Sequence, residues 1–124
     1  MSKPLLVYCA GAYSADNVIT MLGNIRRGLW MAYDVIAIGH YPYVPWSDVL
    51  LHLVGNIPIE TCYAWSLAFM AKCDCVLVNR QGANQSKGTQ KEISIAGQLG
   101  IRVFYDVNEV RDFALQLEAC KNDS

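Results

Sequence analysis

Cys75-Val76-Leu77-Val78, followed after a loop by Ser86-Lys87-Gly88-Thr89-Gln90-Lys91-Glu92, decides how this chain is read. Four consecutive apolar residues form the kind of run that becomes a buried strand. Ile93-Ser94-Ile95-Ala96-Gly97-Gln98-Leu99 continues as a helix, closed by Gly100. The segment is thus a strand, a small-residue loop and a helix start. Ser86 and Thr89 offer hydroxyls there, and Gly88 lets a ligand approach the backbone. First-turn N–H groups of a helix have no intrahelical partners and can receive an anion. Glu92 sits about one turn into the helix, so its carboxylate stands beside that pocket. A carboxylate in such a place suits glycosyl chemistry, where it stabilises or attacks an oxocarbenium-like carbon.

Outward from this segment, strands and helices alternate. Leu5-Leu6-Val7-Tyr8-Cys9 is expected to be the first strand. Asn17 is a good N-cap for a helix over 18–33, with Val18, Leu22, Ile25, Leu29 and Ala32 on one face. Gly23 and Gly28 weaken that helix and allow close packing. Val35-Ile36-Ala37-Ile38 reads as a second strand, and two prolines make 40–46 a loop. A short helix over 47–54 and another over 59–72 follow, the latter with Cys62, Trp65, Phe69 and Cys73 on one face. Ile101-Arg102-Val103-Phe104-Tyr105 is the fourth strand. Asn108 is expected to cap a last helix that turns Val110, Phe113, Ala114, Leu117 and Cys120 inward, before a polar, frayed tail. This order implies a parallel sheet covered on both faces, with strand one central. Ligands bind outside the carboxyl ends of strands in such sheets. The segments 11–16, 40–46 and 79–92 converge on that edge.

Composition narrows the class. The 124 residues suit one domain over 1–124, and 53% hydrophobic against 17% charged residues argue against disorder. A net charge of −1 argues against a nucleic-acid partner. No apolar run approaches a bilayer span, and Met1-Ser2-Lys3-Pro4 enters the first strand without a secretory core. A cytoplasmic protein without a membrane partner is expected. Five cysteines with apolar neighbours read as reduced, packed thiols, and Cys73-x-Cys75 has no second pair to complete a zinc site. Neither a metal nor a cofactor is expected.

Val7-Tyr8-Cys9-Ala10-Gly11-Ala12-Tyr13-Ser14 resembles the "YxAGPYS" opening of nucleoside 2-deoxyribosyltransferase-like proteins. Ser86-x-Gly88-x-x-x-Glu92, with Ala96 and Gly100, resembles their "SxGxxxE…A…G" motif, and Met70-Ala71-Lys72-Cys73-Asp74-Cys75-Val76 their "L..CD.V". The resemblance spans most of 5–106, is nearest to short bacterial and phage branches, and extends to deoxynucleoside 5′-monophosphate N-glycosidases. The strand and helix alternation makes the expected fold a flavodoxin-like three-layer α/β/α sandwich with a parallel sheet of four or five strands. The resemblance carries a function. It implies cleavage of the base–sugar bond of a nucleoside or nucleotide, with Glu92 as nucleophile. Tyr8 is the nearest match to the Tyr that positions sugar or Glu, and Tyr13 is the candidate if the register differs. Ser86 and Gly88 would line the 5′ side. The chain departs from the pattern at Ala12 for Pro, at Ser66 for an Asp that holds sugar or protonates base, and at a first loop without Arg.

Gly11, Tyr13, Ser14, Ser66, Ser86, Gly88 and Thr89 are therefore candidate substrate-binding residues, with Glu92 and Tyr8 catalytic. His40, expected to follow strand two at the ligand edge, is a candidate acid or base. Trp46 has a ring to stack on a base, Asn84 and Gln85 have donors, and Lys87 and Lys91 can attract phosphate. His52 reads as a surface or interface residue, and Asp74 as a turn cap on the opposite edge. Trp46, Val49, Leu50, Leu53 and Val54 form an apolar stretch that predicts self-association as a dimer or tetramer. The alternative function is a non-catalytic nucleotide-binding module on the same fold. Gly88-Thr89-x-x-Glu92 also resembles the "GTxxE" of phosphoribohydrolases, without their preceding "PGG". A flavin protein is disfavoured by a first loop short of phosphate-gripping hydroxyls.

Overall fold

Strand alternation sets the two faces of the sheet. In the computed structural model, which describes residues 3–82 and 86–122, β1 spans Leu6–Ala10 and β3 spans Cys75–Val78. Successive strand residues point to opposite faces. Val7, Cys9, Cys75 and Leu77 accordingly enter one core, with Ala32, Val35, Phe104 and Val110. Tyr8, Ala10, Val76 and Val78 enter the other, with Met70 and Ala96. Val7, Val76, Leu77 and Val78 are at most 1% exposed. Each such side chain contributes roughly 1.5–3 kcal/mol by leaving water.

Helices cover both faces. The first core is closed by α1 (Val18–Ala37) and α4 (Val107–Asn122), the second by α2 (Ile59–Met70) and α3 (Lys87–Gln98). β2 (Tyr41–Tyr43) and β4 (Arg102–Phe104) complete a four-stranded parallel sheet of order β2-β1-β3-β4. This is the expected three-layer α/β sandwich, with β1 in the sheet interior. The chain leaves β1 toward one edge and returns through β3 on the other side. That reversal opens a crevice at the carboxyl ends of β1 and β3.

Several expected boundaries are corrected. Val35-Ile36-Ala37-Ile38 is not a strand but the end of α1. Gly39, at φ +92°, takes the left-handed conformation that ends a helix, and its N–H donates to Ile36 while that of His40 donates to Val35. The second strand is Tyr41–Tyr43, inside the segment expected to be a loop. Pro42 is tolerated because β2 is an edge strand. The short helix expected over 47–54 is present as the 3-10 helix Pro45–Leu53. The cap of α4 is Asp106 rather than Asn108. Its Oδ1 accepts from the Asn108 N–H at 2.7 Å, and Glu109 Oε1 accepts from the Tyr105 N–H at 3.0 Å.

The expected inner face of α1 is also corrected. Only Ala32 of that set is buried; Val35 joins it in the core, while Asn24 and Gly28 are buried beside Tyr13. The apolar arc of the helix is wider than the face the protein buries, so periodicity did not locate the buried edge of that arc. Ile19, Leu22, Leu29, Trp30, Tyr33 and Ile36 are left facing outward, each more than half exposed. On α2, Phe69 is half exposed, and its ring stacks on Tyr43 at 4.7 Å. In α4, Leu117 and Cys120 lie outward rather than in the core. No helix among the described residues is long and apolar enough to cross a membrane.

Candidate active site

Tyr8 and Glu92 are 84 residues apart in sequence and form one hydrogen-bonded pair. β1 fixes one partner, since its alternation aims Tyr8 at the face covered by α2 and α3. α3 fixes the other. Ser86 caps that helix, its Oγ accepting from the Thr89 N–H at 3.1 Å and from the Thr89 hydroxyl at 2.9 Å. Glu92 then falls one turn further on, over the end of β1. The Tyr8 hydroxyl donates to Glu92 Oε2. The Ser66 hydroxyl, from α2, lies within hydrogen-bonding reach of the same phenol.

Burial governs the charges of this pair. Glu92 is pushed up from 4.5 to about 7, chiefly by desolvation, with the bond from Tyr8 pulling the other way. Tyr8 is fully buried, and its phenol is held far above the ordinary tyrosine value by burial and then by the Glu92 charge. Tyr8 therefore stays a donor. Glu92 changes charge near neutrality, in the range where acid–base and nucleophilic groups are useful.

Glu92 opens onto a cavity of about 560 Å³ at the carboxyl edge of the sheet. Its floor is Gly11, Tyr13 and Ser14 from the loop after β1. One wall is the start of α3, with Ser86, Gly88, Thr89 and the lysines Lys87 and Lys91. The facing walls are the 3-10 helix, with Trp46, Asp48 and His52, and α2, with Cys62, Tyr63 and Ser66. The volume matches that of small-molecule sites. Asp48 and Glu92 are the carboxylates among the lining residues.

Most sequence-predicted site residues meet here. Gly11, Tyr13, Ser14, Ser66, Ser86, Gly88, Thr89 and Glu92 all line the cavity, and Tyr8 lies directly behind it. Ser86 and Thr89 spend their mutual hydroxyl bond on capping α3, and Thr89 is 1% exposed. The placement of His40 is corrected. Because β2 starts after it, His40 lies at the amino end of the strand, on the edge opposite the cavity. Its Nδ1 accepts from the Leu5 N–H at 3.0 Å, and burial pushes its pKa down. Asp74 is on that same edge, where its carboxylate accepts from the Leu6 N–H at 2.7 Å. His52, expected at the surface, is exposed and also borders the cavity. Asp48 and Cys62 carried no sequence signal, because only the fold of 45–70 brings them to the edge. Asn84 and Gln85 lie outside the described residues.

Tyr13 and Trp46 meet at the cavity floor with ring centroids 5.5 Å apart. The Tyr13 hydroxyl donates to the Cys9 carbonyl at 3.1 Å. The Trp46 indole N–H is buried beside that phenol without a fully formed bond. Gly28 makes room for both rings. A Cβ there would stand 2.6 Å from Tyr13 Cε1 and 2.9 Å from Trp46 Nε1. Gly28→Ala is therefore expected to destabilise the fold by about 1–3 kcal/mol through overpacking, although alanine favours an isolated helix by about 1 kcal/mol. Chemical denaturation measures this, and a stabilised variant would show that the rings yield freely.

Two of the thiols, Cys9 and Cys75, belong to the core rather than the cavity lining. Burial pushes Cys9 and Cys75 up to about 12, so they stay protonated in the core. Among the described residues no group of three His, Cys, Asp or Glu is arranged to hold a metal ion. No family model and no curated protein matches the chain.

Proposed function

We propose that the chain cleaves the base–sugar bond of a nucleoside or nucleotide, as an N-glycosidase or N-deoxyribosyltransferase with Glu92 as nucleophile. The observation that carries this reading is the Tyr8–Glu92 pair at the back of a ligand-sized cavity. Glu92 attacks the anomeric carbon and displaces the base, and water or a second base then resolves the glycosyl ester. Tyr8 orients the carboxylate by donating to one oxygen, which leaves the other to react. Tyr13 and Trp46 offer apolar surface for sugar and base. The resemblance of the "SxGxxxE" segment to deoxyribosyltransferase-like proteins supports the same assignment. Free base release from a panel of nucleosides and 5′-monophosphates, followed by chromatography, tests it. Absence of release from every member would overturn it.

Ser66 favours a second reading, a nucleotide-binding module without turnover. A hydroxyl stands where the family carries an acid, and it lies beside Tyr8. Tight nucleotide binding without base release would select this alternative.

We also propose that the chain works as a homo-oligomer in the cytoplasm. Its five cysteines are all unpaired, as a reducing compartment requires. A stable interface needs a contiguous exposed apolar surface. The exposed apolar residues of α1 supply the surface, together with Leu50, Leu53 and Val54, which are 66%, 85% and 90% exposed. Light scattering at micromolar concentration is expected to give a dimer or larger species, and Trp30→Glu with Leu53→Glu to shift it toward monomer. A monomeric wild type would refute the proposal.

A further inference from the structure

We propose that Asn24 of α1 is a positioning residue for the cavity, holding the loop after β1 in the shape that receives the ligand. The inference rests on the reading of the cavity as a nucleoside or nucleotide site, and it applies to cleavage and to binding alone. Asn24, His40 and Thr89 are buried polar residues. Thr89 bonds within the cap of α3, and His40 accepts from the Leu5 N–H at the opposite edge. Asn24 reaches the loop that floors the cavity.

The buried residues of α1 form one stripe, Asn24, Gly28, Ala32 and Val35. Asn24 is its polar member. Asn is a weak helix former, and a buried amide costs stability unless it is bonded. Asn24 is 8% exposed, and both ends of its amide are used. Its Nδ2 donates to the Tyr13 carbonyl at 3.2 Å, and its Oδ1 accepts from Arg27 Nη2. A guanidinium can only donate, so Arg27 holds the amide oxygen and leaves the N–H end facing the loop.

The loop depends on that bond. Residues 12–16 belong to no helix or strand, and among the described residues two hydrogen bonds hold them, both at Tyr13. The hydroxyl ties the ring to the Cys9 carbonyl at 3.1 Å, and Asn24 ties the main chain. Gly28, one turn after Asn24, admits the Tyr13 ring against the helix. Tyr13 and Ser14, which line the cavity, are thus set in place by α1. A loop ordered in advance binds without the entropy cost of ordering it on contact. Asn24 is not itself a lining residue, so its effect passes through the loop.

The test separates binding from chemistry. Asn24→Asp keeps the size of the side chain and the acceptor for Arg27, and deletes the N–H that reaches Tyr13. It is expected to raise KM about tenfold in the base-release panel and to change kcat less than about threefold. Calorimetry with the same nucleosides and 5′-monophosphates in the Glu92→Gln background is expected to show about the same tenfold weakening. Asn24→Leu, which adds no charge, is expected to leave the pH midpoint of kcat/KM near 7. Arg27→Met frees the amide without changing a buried residue and is expected to weaken binding severalfold. A loss of folded protein lowers apparent kcat and leaves KM alone. That pattern, an unchanged Kd in Asn24→Asp or in Arg27→Met, or a shifted pH midpoint in Asn24→Leu would each overturn the role of Asn24. If the wild type binds without turnover, the Kd comparison decides. A wild type that binds no member of the panel would remove the reading of the cavity itself, and Asn24 with it.

Discussion

Glu92→Gln is expected to cut base release by at least about two orders of magnitude, with the fold intact. The amide keeps the size of the side chain, and its oxygen still accepts from the Tyr8 hydroxyl, so the buried phenol keeps a partner. It has no anionic oxygen to attack a sugar carbon. The loss should appear in kcat and in kcat/KM together, because the missing bond forms only on the way to the transition state. Nucleotide affinity, measured by calorimetry, should change little. Retained turnover in Glu92→Gln would take the carboxylate out of the mechanism and leave the cavity as a binding site.

The pH dependence carries the second large effect, with opposite signs for activity and stability. The nucleophile must be ionised, and Glu92 ionises at about 7. Base release should therefore rise with pH up to about 7 and fall roughly tenfold for each unit below it. Stability runs the other way. The folded state holds the Glu92 proton up to about 7, whereas the unfolded chain releases it near 4.5. Between those values the native state binds more protons, so the stability from this group is full below 4.5 and is lost as pH rises through 7. The loss is at most about 3 kcal/mol. His40 acts in the opposite direction, since its lowered pKa makes the fold more stable as pH rises toward 6.5. Comparison of wild type with Glu92→Gln isolates the glutamate. The variant should match wild type near pH 4.5 and unfold roughly 10 °C higher at pH 8. Equal melting curves at pH 8 would mean that Glu92 is ionised in the fold at no cost.

The cost is the physical reason a carboxylate can be useful there. A fully solvated Glu is a weak nucleophile that needs stripping of water before it reacts. Partial burial over β1 does some of that stripping in the folded state, and the Tyr8 bond keeps the charged form accessible. Stability and reactivity are thus traded at one residue.

The sequence by itself determined the class of fold and most of the cavity floor. β1 and β3 were legible because both are short apolar runs bounded by small or polar residues, and the Ser86 cap marked the start of α3. The carboxyl-edge rule then placed Gly11, Tyr13, Ser14 and Glu92 near one another. Tertiary structure alone decided three things. It made Val35-Ile36-Ala37 helical, because a run continuous with a long helix and followed by Gly39 gains more by extending that helix than by pairing. It moved His40 to the far edge as a result, since a strand that starts at Tyr41 rather than Val35 reverses which end of it His40 occupies. It brought Asp48, His52 and Cys62 to the cavity, and chose Tyr8 over Tyr13 as the partner of Glu92. Local pattern is blind to such meetings, because hydrogen bonds and cavity walls are made between residues whose separation along the chain carries no period.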